Sequence, residues 1–498
     1  MSVDMTAVAE RRVFRLLRNT AIRHTCLTSS AGSSSMRGLA TIHVSMREDT
    51  LRHRLANLCL VMLFLFVPIA RGQQTALDRA LERELPQLVS TYKSLHAAPE
   101  LSHYEAKTSA FLASQLRALG YEVTDHVGRY DHASWVGYGV VGVLKNGAGP
   151  TVLVRTELDA LPVEENTGLP YASKVRTHDD AGREVGVMHA CGHDIHMTSW
   201  LGTAKMLVEL KEQWHGTVVM VGQPAEESIS GARAMLAAGF YSRFPRPDYA
   251  LALHDSPAIE AGKVGYTAGY AMASSTAVDV IIRGVGGHGS APQVAKDPVV
   301  AAAEFILALQ TIVSRENSPF DPAVVTVGSI HGGTRPNIIP DEVRLQLTVR
   351  AYKEEVRQRI IASLDRIAKG IASADGIPES RAPIVTANDA DYTPATYNDP
   401  QLTQRLAKVF AKDLGAENVV ETPAVMASED FGRFGLEDHK IPICLFSLGA
   451  VDPAKLEESK RTGHPIPGLH SSQWAPVPEP TIRTGVKAMT SAVLDLLP

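Results

Sequence analysis

Val218-Val-Met-Val-Gly-Gln-Pro-Ala-Glu-Glu227 joins a short apolar run to a pair of acidic residues. A run of this length, bounded by turn residues, predicts a strand that is buried on both faces. Similar runs occupy residues 152–156, 249–254 and 443–448, and helical patterns such as 195–210 lie between them. Strands that alternate with helices in this way indicate an α/β fold with a mostly parallel sheet covered by helices.

Polar residues follow these predicted strands at the point where each strand ends. Asp159 follows the first run, Glu226 and Glu227 follow the second, and His254 closes the third. Ligands bind at the carboxyl ends of the strands in such sheets. Two adjacent carboxylates suit hydrolysis, because one can bind a metal ion while the other takes a proton from water. The pattern therefore predicts a hydrolytic site at this edge of the sheet.

The sequence Cys191-Gly-His-Asp194 opens a predicted helix, where we expect Asp194 to cap the helix and the helix start to favour a thiolate. A disulfide between Cys191 and Cys444 is the alternative, and a free thiolate ligand is the interpretation that we prefer. With the neighbouring imidazole, the glutamate pair and two later histidines, the chain offers five N, O and S donors that two divalent ions could share: Cys191, His193, Glu227, His254 and His470.

The order of the predicted strands and helices changes between residues 272 and 389. Strands are predicted at 277–283, 323–330, 342–351 and 383–387, and helices at 297–315 and 353–371. This βαββαβ order is that of a ferredoxin-like domain. We interpret residues 272–389 as a domain inserted into a catalytic domain made of residues 76–271 and 390–498.

The N-terminal region resembles a targeting signal. Residues 55–70 are apolar for about the length of a secretory signal, which is shorter than the ~20 residues of a membrane span, and Arg47, Arg52 and Arg54 precede them. We therefore expect an exported enzyme with a signal in residues 46–72, and an uncleaved membrane anchor is the alternative. Residues 1–45 are poorly defined, and a start at Met46 explains them most simply.

The composition restricts the possible partners. A hydrophobic fraction of 45% and a charged fraction of 21% are those of a globular chain. The formal net charge of −5 leaves no basic excess to neutralise phosphates, so nucleic acid is not expected as a partner.

Six motifs in order resemble those of the M20 metallopeptidases, and most of all the amidohydrolase branch that includes aminoacylase-like, hippurate and IAA-amino acid hydrolases. They are Arg155-Thr-Glu-Leu-Asp159, Met188-His-Ala-Cys-Gly-His-Asp194, Gln223-Pro-Ala-Glu-Glu227, Gly286-Gly-His-Gly-Ser290, Met426-Ala-Ser-Glu-Asp430 and Leu469-His470. The resemblance implies that the same five residues hold the metal ions, that Glu226 is the catalytic base, and that Asp159 and Asp194 support the ligands. The branch usually has Asp where this chain has Glu157.

The resemblance also implies roles for the inserted domain. That domain is expected to act as a lid, to pair two subunits as a homodimer, and to offer His288 to the substrate carbonyl. Asn337 and Arg350 lie where the family has groups that grip the substrate carboxylate. The alternative for Arg350 is an ordinary charge on a strand surface.

The predicted function is hydrolysis of the amide bond of N-acyl amino acids by a metal-activated water and a glutamate base. One alternative is a metallo-carboxypeptidase that acts on dipeptides or short peptides, and another is a metal- or peptide-binding protein without turnover. A serine hydrolase is not supported, since we find no Gly-x-Ser-x-Gly motif. The mixed ligands suit two zinc or manganese ions, and cobalt or nickel could also occupy such a site.

Overall fold

The computed structural model describes residues 75–388, 392–436 and 440–498. Its helices, numbered along the chain, are α1 Ala76–His96, α2 Ala106–Ala118, α3 His193–Glu209, α4 Gly231–Ala237, α5 Phe240–Arg243, α6 Pro298–Thr311, α7 Glu354–Ala374, α8 Pro400–Leu414, α9 Arg433–Leu436, α10 Pro453–Thr462 and α11 Pro478–Leu496. Its strands are β1 Glu122–Val127, β2 Gly139–Asn146, β3 Thr151–Glu157, β4 Arg176–His178, β5 Glu184–Gly186, β6 Gly216–Gln223, β7 Tyr249–Glu260, β8 Val264–Tyr266, β9 Gly269–Met272, β10 Ser274–Arg283, β11 Gly287–His288, β12 Ala323–Gly332, β13 Ile338–Ile339, β14 Glu342–Ala351, β15 Ile384–Ala387, β16 Thr396–Asn398, β17 Val419–Glu421 and β18 Ile443–Val451.

The central sheet has eight strands in the order β1-β2-β6-β3-β7-β18-β8-β17. Its middle is parallel, because β3 pairs in parallel with both β6 and β7, and β7 pairs in parallel with β18. Strands β1, β2 and β6 pair antiparallel at one side, and β8 pairs antiparallel with β18 at the other. The predicted α/β class with a mostly parallel sheet is thus confirmed.

Successive residues of the middle strands point into two different hydrophobic layers. Val152 and Val154 pack in the layer that contains α1, α2, α3, α8 and α11, whereas Leu153 packs against α4 and α9 on the opposite face. A strand with helices on both faces must be apolar at every position, which explains the unbroken runs in the sequence. The middle of the sheet is buried, and its strand ends are left as the place for polar side chains.

A second layer is built on a four-stranded antiparallel sheet in the order β12-β14-β10-β15. Its elements follow one another as β10, α6, β12, β14, α7 and β15, apart from the short pair β11 and β13, and this is the βαββαβ order expected from the sequence. The two helices pack on the sheet around a core of their own. The boundaries 272–389 and the roles of this layer as a lid and in dimerisation stay predictions.

Two local expectations from the sequence need correction. Strand β7 does not end at His254 but continues to Glu260, because β18 pairs alongside it as far as Val451. The predicted helix at 297–315 ends as a regular α-helix at Thr311 and closes with a π-helical turn, Ile312–Glu316. The predicted N-terminal extension and signal, residues 1–45 and 46–72, lie outside the described residues.

Candidate metal centre

The start of helix α3 is placed at the sheet edge by a close backbone approach. Gly192 precedes the helix in a left-handed conformation with φ of 76°, and a Cβ atom at this position would lie 2.3 Å from Asp255 Oδ2. Only glycine satisfies both conditions. Gly192 thereby lets Cys191 and His193 reach the strand that carries His254.

Asp194 does not cap this helix, contrary to the expectation from the sequence. Gly192 occupies the N-cap position without a side-chain hydrogen bond. The buried Asp194 carboxylate instead bonds to His96 Nδ1 at 2.6 Å, and it accepts a hydrogen bond from the Ile195 N–H. These bonds hold the first turn of α3 against α1, so Asp194 supports the site through the helix backbone.

All five predicted ligands converge. Cys191 Sγ lies 3.6 Å from His254 Nε2, and His470 Nε2 lies 3.5 Å from Glu227 Oε2. His193 Nε2 lies 3.9 Å from Glu227 Oε1. The donor atoms fall into groups of metal-binding size, one formed by Cys191, His193 and His254 and another by Cys191, Glu227 and His470. Because Cys191 belongs to both groups, the arrangement suits two neighbouring cations.

The imidazoles are oriented with one nitrogen toward the centre. His193 Nδ1 bonds to the Asp159 backbone oxygen at 2.8 Å, and His254 Nδ1 bonds to the Asp255 backbone oxygen at 2.8 Å. A carbonyl oxygen only accepts, so each Nδ1 carries a proton, and Nε2 is the nitrogen that remains for a metal ion. This is the tautomer that a metal ligand requires.

Two carboxylates follow β6 on a tight turn. Glu226 Oε2 lies 3.8 Å from His193 Nε2, while Glu227 faces both His193 and His470. The Glu227 backbone N–H donates to Asp159 Oδ2 at 3.0 Å, and that oxygen also accepts from Ser102 Oγ at 2.6 Å. Asp159 therefore fixes the turn with its side chain and His193 with its backbone oxygen, and its support of metal ligands stays a prediction.

The chemistry of this cluster calls for positive charge. Within the described residues, His193 Nε2, Glu227 Oε1 and Asp159 Oδ1 are buried without a hydrogen-bond partner. Without a cation, burial and the Glu227 carboxylate raise the pKa of the Cys191 thiol well above its usual range, so the helix start alone does not produce the expected thiolate. Burial likewise raises the pKa of Glu227 to about 7. The donors thus fit divalent cations, which would neutralise them and occupy the unpaired atoms.

Beneath the centre lies a buried ionic network that the sequence did not reveal. Arg155 bonds to Glu157, to Glu429 Oε1 at 2.7 Å, to Asp430 Oδ1 at 3.1 Å and to Gln223 Oε1 at 2.9 Å. Burial opposes the charge on this guanidinium, but the surrounding carboxylates raise its pKa above its usual value. Arg155 therefore connects β3, β6 and the loop that leads into the 3₁₀ turn Asp430–Gly432.

His196 and Asp255 form a second feature that sequence reasoning missed. His196 Nδ1 bonds to Glu157 Oε2 at 2.9 Å, and its Nε2 accepts from the Asp255 N–H at 2.8 Å. The spacing of three residues from His193 along a helix was a signal for a shared face. Glu157, which replaces the aspartate of the family motif, thus reaches both Arg155 and His196.

The loop that carries His470 is fixed by a buried tryptophan. The His470 N–H donates to the Ala190 backbone oxygen at 2.7 Å, and His470 itself has φ of 64°. Trp474 is buried in an apolar cluster beside Met188, and its Nε1–H donates to Asp255 Oδ2 at 3.2 Å. A histidine far along the chain is thereby brought to the residues at the start of α3.

The three residues predicted on the second layer form hydrogen bonds to residues other than the five predicted ligands. His288 is exposed and its Nδ1 accepts from Ser290 Oγ at 2.7 Å, while the exposed Asn337 accepts a backbone bond from Gly289. Among the described residues, no hydrogen bond or ion pair joins either of them to the five ligands. Arg350 is half-buried and its Nη1 donates to the Met426 backbone oxygen at 3.0 Å, so it is not a free strand-surface charge.

Clustered N, O and S donors near the carboxyl ends of β3 and β6, with a second buried carboxylate beside them, are the groups that a metal-dependent hydrolase requires. The chain belongs to the peptidase family M20/M25/M40, whose model matches residues 153–465. Membership confirms the class of enzyme that the sequence predicted.

Known proteins of this family resemble the chain over most of its length. N-acetyldiaminopimelate deacetylase of Limosilactobacillus fermentum is 36% identical over 82% of this chain and 96% of its own length. Thermostable carboxypeptidase 1 of Saccharolobus solfataricus is 36% identical over 74% of this chain and 87% of its own. The crystal structure of YXEP of Bacillus subtilis, a dinuclear metal-binding peptidase from the M20 family, covers 84% of this chain and 99% of its own with 27% identity and a TM-score of 0.66.

Proposed function

We propose that the chain hydrolyses the amide bond of N-acyl amino acids that carry a free carboxylate. The observation that carries this proposal is the placement of Glu226 beside Glu227: one carboxylate faces two metal-binding histidines, and the other lies next to them as a spare base. A binding protein has no use for a second buried carboxylate of this kind. The deacetylase similar to this chain supports an acylated amino acid as substrate.

Zinc or manganese ions held by the five ligands would activate a water molecule and polarise the amide carbonyl. Burial, followed by the charges of Glu429 and Glu227, raises the pKa of Glu226 well above its usual range, so this carboxyl holds a proton more firmly than a surface glutamate does. Glu226 is therefore suited to take a proton from the attacking water and to pass it to the leaving nitrogen.

The substrate carboxylate would be held from the second layer. Arg350 reaches across to the loop that contains Ser428, whose hydroxyl lies 3.4 Å from its Nη1. His288 lies on the short strand β11, and Asn337 directly precedes its partner strand β13. Closure of this layer or a second copy of the chain would bring them to the substrate. Their roles stay predictions.

A panel of substrates tests the proposal. N-acetyl and N-benzoyl amino acids are expected to be cleaved with higher kcat/KM than free dipeptides, and the amides of the same N-acyl amino acids, which lack the carboxylate, should be poor substrates. A chelator should abolish hydrolysis and metal addition should restore it. Higher kcat/KM for dipeptides would favour a carboxypeptidase, which is the activity named for the Saccharolobus relative. If no substrate is hydrolysed, the remaining interpretation is a metal- or peptide-binding protein without turnover.

We also propose that two copies pair through the outer face of α6 and the free edge of β12. Among the described residues, Pro298–Glu316 is the one helix that is long and apolar enough to cross a membrane, and only a third of it is buried. Phe305 and Leu309 pack on the sheet, whereas Leu307 on the opposite side is 74% exposed. Strand β12 is an edge strand, and Phe320 just before it is 91% exposed. A second copy of this chain would cover this face.

Substitution on this face is expected to separate the copies. Leu307→Glu would place a charge in the middle of the apolar surface, and the protein should elute as a monomer in size-exclusion chromatography with light scattering. Ala362→Glu, on an exposed position of the neighbouring helix α7, adds the same charge elsewhere and should leave the oligomer intact. A wild-type protein that is already monomeric would refute the pairing.

A further inference from the structure

The turn that carries the two glutamates contains backbone conformations that are unfavourable for its residues. Ala225 has φ of 52° and Ile229 has φ of 57°, and both are non-glycine residues in the left-handed region. Such conformations persist only where surrounding groups fix them, and they are concentrated at functional sites. The groups that fix Ala225 therefore decide where the carboxylate of Glu226 points.

The backbone N–H groups of the two residues that flank Glu226 each donate to a carboxyl group from another part of the chain. The Ala225 N–H donates to Glu105 Oε1 at 2.7 Å, and the Glu227 N–H donates to Asp159 Oδ2 at 3.0 Å. The Ala225 carbonyl oxygen accepts from the Gly231 N–H at 3.1 Å, which closes the turn. The backbone on both sides of Glu226 is thus held by two carboxyl groups that are not predicted ligands.

The side chain of Glu105 does not cap the helix that it precedes. It occupies the N-cap position of α2, yet its side chain makes no capping hydrogen bond. The first turn of that helix is served by Glu100, whose carboxylate accepts from the N–H groups of Lys107 and Thr108 at 2.9 and 2.7 Å. The Glu105 side chain is fully buried and turns away from its own helix toward the catalytic turn.

The Glu105 carboxyl group acts through one oxygen. Oε1 accepts from the N–H groups of Ala225 and His103, whereas Oε2 is buried without a partner among the described residues. Burial, and then the charge of Asp159, raises the pKa of this carboxyl well above its usual range. A neutral carboxyl accepts through its carbonyl oxygen, and the amide of glutamine has the same oxygen at the same reach.

We propose that Glu105 is a positioning residue for Glu226: its Oε1 holds the Ala225 peptide in the left-handed conformation that aims the Glu226 carboxylate at the reacting water. Among the described residues, no hydrogen bond or ion pair joins Glu105 to the five predicted ligands, so it acts through the backbone. This inference rests on the proposed role of Glu226 as the base. A displacement of about 1 Å in a catalytic group can lower the rate roughly 10²-fold, so a small change in the turn has a large effect on turnover.

Two variants separate the length of the Glu105 side chain from its ability to ionise. Glu105→Gln keeps the acceptor oxygen at the same distance from Ala225, and its kcat should stay within about threefold of the wild-type value. Glu105→Asp keeps the carboxyl group but withdraws the oxygen by one methylene, and its kcat should fall roughly tenfold to 10²-fold with KM and bound metal unchanged. The matched control is Glu100→Asp, which shortens a carboxylate at the start of the same helix and should lower only thermal stability.

Equal kcat in Glu105→Gln and Glu105→Asp would overturn the inference, as would a loss of thermal stability without a difference in kcat between them. The inference is also wrong if Glu105→Asp loses metal in proportion to activity, because Glu105 would then act on the ligands. An inactive wild-type enzyme with bound metal would instead refute the proposed function, so the two failures are distinguishable.

Discussion

Glu226→Gln is expected to lower kcat roughly 10²- to 10⁴-fold while the protein keeps its fold and its metal. Glutamine preserves the size of the side chain but cannot accept and return a proton. KM should change little, because the carboxylate is proposed to transfer a proton and not to hold the substrate. Steady-state kinetics with an N-acyl amino acid, together with metal analysis of the purified variant, provides the measurement.

The same substitution at the neighbouring position should behave differently. Glu227→Gln removes a charged ligand that faces His193 and His470, so bound metal and activity should fall together. Glu421→Gln, on an exposed strand, is the control and should match the wild type. Near-full turnover in Glu226→Gln would show that another group is the base, and full metal content in Glu227→Gln would exclude Glu227 as a ligand.

The largest effect on stability is expected at Arg155. Arg155→Met would leave Glu157, Glu429 and Asp430 buried around an uncharged side chain, and removal of one partner from a buried ionic group costs about 3–5 kcal/mol. Arg155→Lys should be intermediate, because a single ammonium group cannot reproduce the planar set of donors that reaches all three carboxylates and Gln223. Urea unfolding followed by circular dichroism measures the free energy of unfolding.

A surface arginine provides the comparison for this prediction. Arg117 pairs with Asp125 at 2.7 Å where both side chains are partly exposed, so Arg117→Met should cost no more than about 1 kcal/mol. If Arg155→Met were as mild as Arg117→Met, the network beneath the metal centre would not contribute to stability. The carboxylates would then be satisfied by protonation.

Much of the fold follows from local pattern. Apolar runs such as 152–156 had to be central strands, and the alternation in 342–351 had to be a strand with one buried face. Polar residues after those runs marked the correct edge of the sheet, because strand direction fixes where the carboxyl ends meet. Cys191 and Glu227 were accessible to this reasoning.

The positions of other residues of the centre depend on long-range contacts, which the pattern of neighbouring residues in the sequence does not reveal. His470 carries no signal of its own, and its place depends on Trp474 and on a backbone bond to Ala190. Arg155 was part of a motif, but the pattern of the sequence did not reveal its four buried partners. The capping role assigned to Asp194 was wrong because His96, almost a hundred positions away, competes for the same carboxylate.

The parallel pairing of β7 with β18 has a consequence for biosynthesis. The chain completes the entire second layer between these two adjacent strands, and His470, the last of the five predicted ligands, follows the second of them. A ribosome therefore exposes a thiol, two imidazoles and a glutamate long before the final imidazole emerges. During translation, the nascent polypeptide therefore carries four of the five predicted ligands well before the predicted site can be complete.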